Sequence, residues 1–223
     1  MVDRQRIIDV LVAAPALAVS SLPILFAAAA AKMTNRRETA FFKQKRYGLH
    51  GKPFTIYKIR TMISQRGADG LLLPDAARVT RVGAFLRRTA LDELPQFWNI
   101  LKGDMSLIGP RPLSFKPDLP EFSDRYVVRP GLTGLAQVMQ NARPEISVNQ
   151  YTEAALRERL AFDLRYIKTA GVRTNMKILW RTAAIVLTGR NDSLRAPARA
   201  APQVARPRPL SMPKVKHDSG VRV

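Results

Sequence analysis

Cysteine is absent from the 223 residues, and histidine occurs only as His50 and His217. Without thiols there is no disulfide scaffold, no thiolate zinc site and no cysteine nucleophile. With only two histidines, a histidine-rich metal centre is excluded. Acidic residues are scarce as well. The chain has 17 Asp+Glu against 37 Lys+Arg, a net charge of +20. Such a balance selects an anionic partner: nucleic acid, a phosphorylated substrate or a lipid surface. The 46% apolar content excludes wholesale disorder. The length suits one domain with a real core and an appendage.

Charge is also missing locally. Val10 to Ala31 is a run of 22 uncharged residues. At about 1.5 Å per residue, a helix of that length spans about 33 Å, against a hydrocarbon core of about 30 Å. Pro15 and Pro23 fall inside the run, and Ser20-Ser21 precedes the second. A kink is expected near Pro23. Arg4 and Arg6 lie before the run, and Lys32, Arg36 and Arg37 after it, so flanking charge sets no orientation. A span, a re-entrant helix returning to its own face, and a signal peptide cleaved within residues 27–31 all remain open here.

Residues 35–62 read as short strands and turns. Gly48 and Gly51 bracket a turn before the β-prone, alternating Phe54-Thr-Ile-Tyr-Lys-Ile59, a hairpin signal. Residues 78–102 read as helix in two pieces. Pro110, Pro112, Pro117 and Pro120 predict a constrained extended loop, and Pro130-Gly131 a further turn. Leu156, Leu160, Leu164 and Ile167 recur at helical spacing within 152–168. A second amphipathic helix is expected over 173–188, with Trp180 beside Lys177 and Arg181 and Gly189 as its stop. Residues 190–223 carry eight Lys/Arg, two Asp and five Pro, and read as a disordered basic tail.

The densest chemical candidate is Asp92-Glu93. With Asp92 as N-cap, Pro95 falls in the first turn of a helix, where its missing N–H costs nothing. Leu94, Trp98 and Leu101 then share one face, and Gly103 follows the end. Carboxylates there would be kept ionised by the helix dipole. Alone, this pattern is ordinary helix punctuation. Its basic surroundings change that. Lys58 and Arg60 lie on the candidate strand. Arg87 and Arg88 precede the dyad. Arg111 is pinned between two prolines, and Arg129 precedes Pro130-Gly131. Guanidinium groups grip phosphate bidentately. Several cations around an ionised Asp follow the logic of phosphoryl transfer, with the carboxylate as nucleophile or Mg²⁺ ligand.

Four blocks carry a resemblance: Gly51-Lys-Pro-Phe-Thr-Ile-Tyr-Lys-Ile-Arg-Thr-Met62 with Arg78-Val-Thr-Arg-Val-Gly83, then Leu91-Asp-Glu-Leu-Pro-Gln96, then Lys102-Gly-Asp-Met-Ser-Leu-Ile-Gly-Pro-Arg-Pro112, and last Val128-Arg-Pro-Gly-Leu-Thr-Gly-Leu-Ala-Gln137. Over about residues 4–188 the chain resembles the bacterial sugar transferases, the monotopic phosphoglycosyl transferases, in their minimal catalytic form. The resemblance implies transfer of a sugar phosphate from a UDP-sugar to undecaprenyl-type (polyprenyl) phosphate, with release of UMP. Asp92 would be the nucleophile, forming a covalent phosphosugar–aspartyl intermediate. Glu93 completes the dyad, and Asp92 and Glu93 would hold Mg²⁺. Lys58, Arg87 and Arg111 map near the phosphates, and Arg60, Arg129 and Gln137 match further motif positions.

The implied fold is mixed α/β and helix-rich, with a small β-hairpin. It has a re-entrant membrane helix at 1–34, a cytoplasmic catalytic domain at 35–189 with interfacial amphipathic helices, and the tail at 190–223. The implied place is the cytoplasmic face of the bacterial inner membrane, in contact with its lipids, with a homodimer left open and no nucleic acid partner. Two departures stand out. Ser21-Leu22-Pro23 separates a Ser-Pro pair by one residue. Met139-Gln-Asn-Ala-Arg143 moves an arginine two positions along, and Leu135 replaces a frequent Trp. A catalytically inactive assembly homologue and a basic nucleic-acid-binding protein are the competing readings.

Overall fold

The computed structural model describes residues 4–117, 119–142 and 153–188. The basic tail and Arg143 lie outside these. The uncharged run becomes helix α1, Arg4–Thr34, which stays helical through Pro15 and Pro23. Ser20 and Ser21 donate to the carbonyls of Leu17 and Ala18, just ahead of the Val19 carbonyl that Pro23 frees. Along one stripe Asp9, Ala13, Ser20, Ala27 and Ala31 are buried. The opposite side exposes Val19, Leu22, Leu25 and Phe26. An 18-residue stretch of it has a mean hydropathy of 2.2, so the helix is long and apolar enough to cross a membrane. This apolar surface and the basic flanks fit membrane association.

The hairpin forms as expected. Strand β1, Phe41–Tyr47, pairs antiparallel with β2, Pro53–Ile59. The connecting turn runs through His50 and Gly51, both left-handed at φ 55° and 65°. A single turn α2, Asp75–Arg78, leads to α3, Arg81–Arg88. Thr80 caps α3 by accepting from the Gly83 N–H at 2.9 Å. Gly83 permits close docking, because a Cβ there would sit 2.0 Å from the Thr61 carbonyl oxygen.

The expected start of the next helix is corrected. Asp92 is not its N-cap. Ala90 adopts a left-handed conformation (φ 56°), a 3₁₀ turn follows at Leu91–Glu93, and helix α4 spans Gln96–Lys102 with Pro95 at the capping position. The left-handed residue redirects the chain after α3 and turns Asp92 inward. The expected face is corrected too: Trp98 is exposed, while Asn99 and Ile100 are buried. Gly103 closes the helix at φ 88°, as its position predicts.

Pro130-Gly131 is more than a turn. Gly131 opens strand β4, Gly131–Thr133, which pairs in parallel with β3, Ser106–Ile108. Three-residue strands are too short to show alternation in sequence. The stretch after the proline loop is a 3₁₀ helix, Pro120–Val127. Helices α5 (Leu135–Ala142), α6 (Glu153–Thr169) and α7 (Val172–Leu187) complete the described chain, the last two within a residue of expectation. The main core joins Ala13, Ile56, Ile100, Met105, Ile108, Val138, Tyr166 and Ile178. Helix α1 is therefore part of the core.

Polar contacts fix the start of α1. Asp9 is fully buried, and its Oδ1 accepts from the Leu107 N–H and the Ser106 hydroxyl, each at 3.0 Å, and from the Gln5 amide at 3.2 Å. Arg6 donates to the Ile100 and Leu101 carbonyls that end α4. Replacing Asp9 by Ala strands a buried amide and hydroxyl. The variant is expected to lose about 1–3 kcal/mol of stability, read as a lowered melting temperature in detergent. An unchanged melting temperature would show that Asp9 does not tie α1 to β3.

Candidate active site

Three segments converge on the dyad. Strand β2 supplies Lys58, whose Nζ donates to Glu93 Oε1. The proline loop after β3 supplies Arg111, whose Nη2 lies 3.4 Å from the same oxygen. Helix α3 supplies Arg87, which donates to the Thr61 hydroxyl at 2.8 Å and acts on Asp92 through its charge. Asn99 sets the spacing between α4 and β2. Its side-chain amide donates to the Thr55 carbonyl at 2.7 Å and accepts from the Tyr57 N–H at 3.2 Å. It thus satisfies a free edge of β2 and locks Lys58 opposite Glu93.

The two adjacent carboxylates occupy opposite electrostatic states. Asp92 is buried, 7% exposed. Burial first, and the neighbouring Glu93 charge second, push its pKa up to about 6 against the pull of Lys58, Arg87 and Arg111. Burial also disfavours the Glu93 anion, but Lys58 and Arg111 outweigh it and hold the group down at about 2. The helix dipole expected to ionise both is not the controlling influence. Neighbouring cations and burial are. At neutral pH both are anions, and Asp92 is the more basic. An anionic oxygen of this kind can attack phosphorus, and the surrounding cations can neutralise phosphate charge.

Among the described residues no three His, Asp or Glu side chains converge as a metal cage. Asp92 and Glu93 alone offer a protein oxygen pair. That set fits Mg²⁺, which binds one or two carboxylates and takes its remaining ligands from substrate phosphates and water. Burial raises Asp92 most, and the Glu93 repulsion that adds to it is what a divalent cation would relieve.

Two of the other expected residues have partners away from the dyad. Arg60 pairs with Glu38 at 2.7 Å and donates to the Thr39 carbonyl at 2.7 Å. Arg129 donates to the Gly103 carbonyl at 3.1 Å, at the end of α4 away from the dyad. Gln137 lies on α5 beside Gly134 and the β3–β4 connection. None of the three has a described contact with the dyad.

A model of the bacterial sugar transferase family matches residues 3–189. The chain belongs to the bacterial sugar transferases. It is 43% identical over 201 residues to a UDP-glucose:undecaprenyl-phosphate glucose-1-phosphate transferase of Caulobacter vibrioides, covering 84% of this chain and 71% of that one. It is 41% identical over 187 residues to the uncharacterized sugar transferase EpsL of Bacillus subtilis, covering 82% and 87%. A Klebsiella pneumoniae protein named as a UDP-glucose:undecaprenyl-phosphate glucose-1-phosphate transferase is 37% identical over 186 residues, 80% of this chain but 39% of its own length.

Sequence reasoning missed a buried charged group behind this site. Arg125, Arg159 and Asp163 are all nearly inaccessible. A signal was present, because Arg159 and Asp163 interrupt the apolar stripe of α6 at positions that the helical period turns inward.

Removing the Lys58 charge withdraws a stabilising influence from both carboxylates. In Lys58→Met the pKa values of Asp92 and Glu93 are expected to rise, measured by ¹³C-detected carboxyl titration. Unchanged titration would mean that Lys58 does not set the charge state of the dyad.

Proposed function

We propose that this sugar transferase moves a sugar phosphate from a UDP-sugar to a polyprenyl phosphate of the undecaprenyl type. The observation that carries the reading is buried Asp92 beside Glu93, which Lys58 and Arg111 grip, with the Arg87 charge close by. The printed names of the relatives supply the donor and acceptor classes.

In this reading a carboxylate oxygen of Asp92 attacks the β-phosphorus of the donor. The bond from that phosphorus to the bridging oxygen breaks, and UMP leaves with the electron pair. The product is an aspartyl phosphosugar. A phosphate oxygen of the polyprenyl phosphate then attacks the same phosphorus, and the Asp92 oxygen–phosphorus bond breaks to regenerate the carboxylate. Lys58 and Arg111 hold Glu93 and face the diphosphate. Arg87 adds charge beside Asp92. Mg²⁺, held by Asp92 and Glu93, would supply further neutralisation of phosphate charge.

The acceptor is a membrane lipid, so the site works at a membrane surface. The proposed place is the cytoplasmic face of the bacterial inner membrane, where the nucleotide sugar is found, with α1 re-entrant and both its ends on that face. Helix α7 supports an interfacial position. Val172, Met176, Trp180 and Leu187 are exposed along it, with Arg173, Lys177 and Arg181 alongside. The reading admits a homodimer.

The test is UMP release by the protein in nanodiscs, with a panel of UDP-sugars and undecaprenyl phosphate. Asp92→Asn is expected to abolish release, since an amide is a poor nucleophile; wild-type rates in that variant would sink the covalent mechanism. Chelation by EDTA is expected to stop the reaction, and full activity in EDTA would remove Mg²⁺. The nucleophile must be ionised, and it is charged above its pKa. Values of kcat/KM should therefore fall toward acid pH as Asp92 protonates, below about pH 6 in the metal-free protein and at a lower pH where Mg²⁺ is held. A profile that rises toward acid pH would contradict the assignment of Asp92.

A further inference from the structure

The backbone of the phosphate-facing arginine is held from behind by two other arginines. The Arg111 carbonyl oxygen accepts from Arg125 Nη2 at 2.9 Å and from Arg159 Nη2 at 3.2 Å. Arg125 comes from the 3₁₀ helix and Arg159 from α6. Asp163, one turn beyond Arg159, accepts from Arg125 Nε at 3.1 Å and from Arg125 Nη2 at 2.7 Å through one carboxylate oxygen. The Arg125 and Asp163 side chains are each only 2% exposed.

Such an arrangement is costly to desolvate, and apolar side chains would fill the space as well. Two guanidinium groups and one carboxylate are gathered in a buried site behind Arg111. Both guanidinium groups aim at a single carbonyl, that of the residue between Pro110 and Pro112. The prolines fix φ on either side, and the two donors fix the peptide plane itself. The Arg111 side chain, by contrast, is 39% exposed and reaches Glu93 only at 3.4 Å. Its aim therefore depends on its backbone.

Resting on the reading given under Proposed function, we propose that Arg125 and Arg159, ordered by Asp163, are positioning residues for Arg111. They touch neither the dyad nor, in this account, the substrate. They hold the Arg111 backbone so that its guanidinium meets the diphosphate without searching. Displacement of a phosphate-binding group by about 1 Å is enough to cost on the order of 100-fold in rate.

A double-mutant cycle distinguishes positioning from general support of the fold. Arg159→Leu and Arg159→Met remove the donor, and the latter keeps the unbranched apolar stem so that packing survives. Each is combined with Arg111→Ala in nanodiscs and assayed by UMP release, with melting temperatures measured in parallel. In the presence of Arg111, a loss of about 10- to 100-fold in kcat/KM is expected. In the Arg111→Ala background the same substitutions should cost less than about threefold, because the group they position is gone. Arg159→Lys, which retains a charged donor, should recover most of the activity. Equal losses in both backgrounds, or no loss with Arg111 present, would overturn the positioning role while leaving the reaction intact. A wild-type chain that releases no UMP from any donor would instead overturn the proposed reaction, and this proposal with it.

Discussion

The Glu93 carboxylate is the junction on which the site depends. One of its oxygens meets an ammonium from the hairpin and a guanidinium from the proline loop. Those two cations belong to segments more than fifty residues apart, and like charge drives them apart. An anion between them turns repulsion into a joint. The joint is not free to drift, because Asn99 ties α4 to the edge of β2 within two turns of the dyad. Backbone hydrogen bonding thereby sets the distance between Lys58 and Glu93, and the ion pair needs only to fill it.

The same joint divides the labour between two neighbouring carboxylates. Glu93 absorbs the cations and stays acidic. Asp92, buried and next to a permanent negative charge, becomes the more basic group. Adjacent side chains in a 3₁₀ turn thus reach different pKa values with no change of residue class, the general way in which paired carboxylates acquire separate roles. The overall +20 charge gives this pair its setting, since a phosphorylated substrate approaches down a favourable field.

Much of this was legible in the sequence. Periodicity located the hairpin and helices α6 and α7 to within a residue or two, and uncharged length located α1. The dyad and three of its cations were legible because carboxylates amid Arg and Lys are chemically conspicuous. Ala90 was not legible, since nothing in a sequence marks an alanine at positive φ, and with it went the start of α4. The partners of Arg60 and Arg129 were not legible for a related reason. An arginine looks the same whether it faces phosphate, pairs with Glu38 or caps Gly103, and only tertiary placement separates these. Strands β3 and β4 were too short to alternate. Asp163 and Arg159 carry a legible signal, because charges on the apolar stripe of α6 mark an inward-facing polar group.

The placement of α1 ties these strands of argument to the membrane. Arg6 holds the carbonyls at one end of α4, and the dyad turn precedes the other end, about 10 Å away at 1.5 Å per residue. Asp9 holds β3, which leads directly into Pro110-Arg111. The apolar helix is thus bonded to both elements that carry the site, near the ends distal to the chemistry. A tether would leave the height of the dyad above the lipid surface to chance. With α1 seated in lipid as proposed, this linkage would make that height a property of the fold. For the proposed reaction, whose acceptor phosphate would sit in a headgroup layer, such an anchor would help bring the proposed nucleophile to the depth of its second substrate.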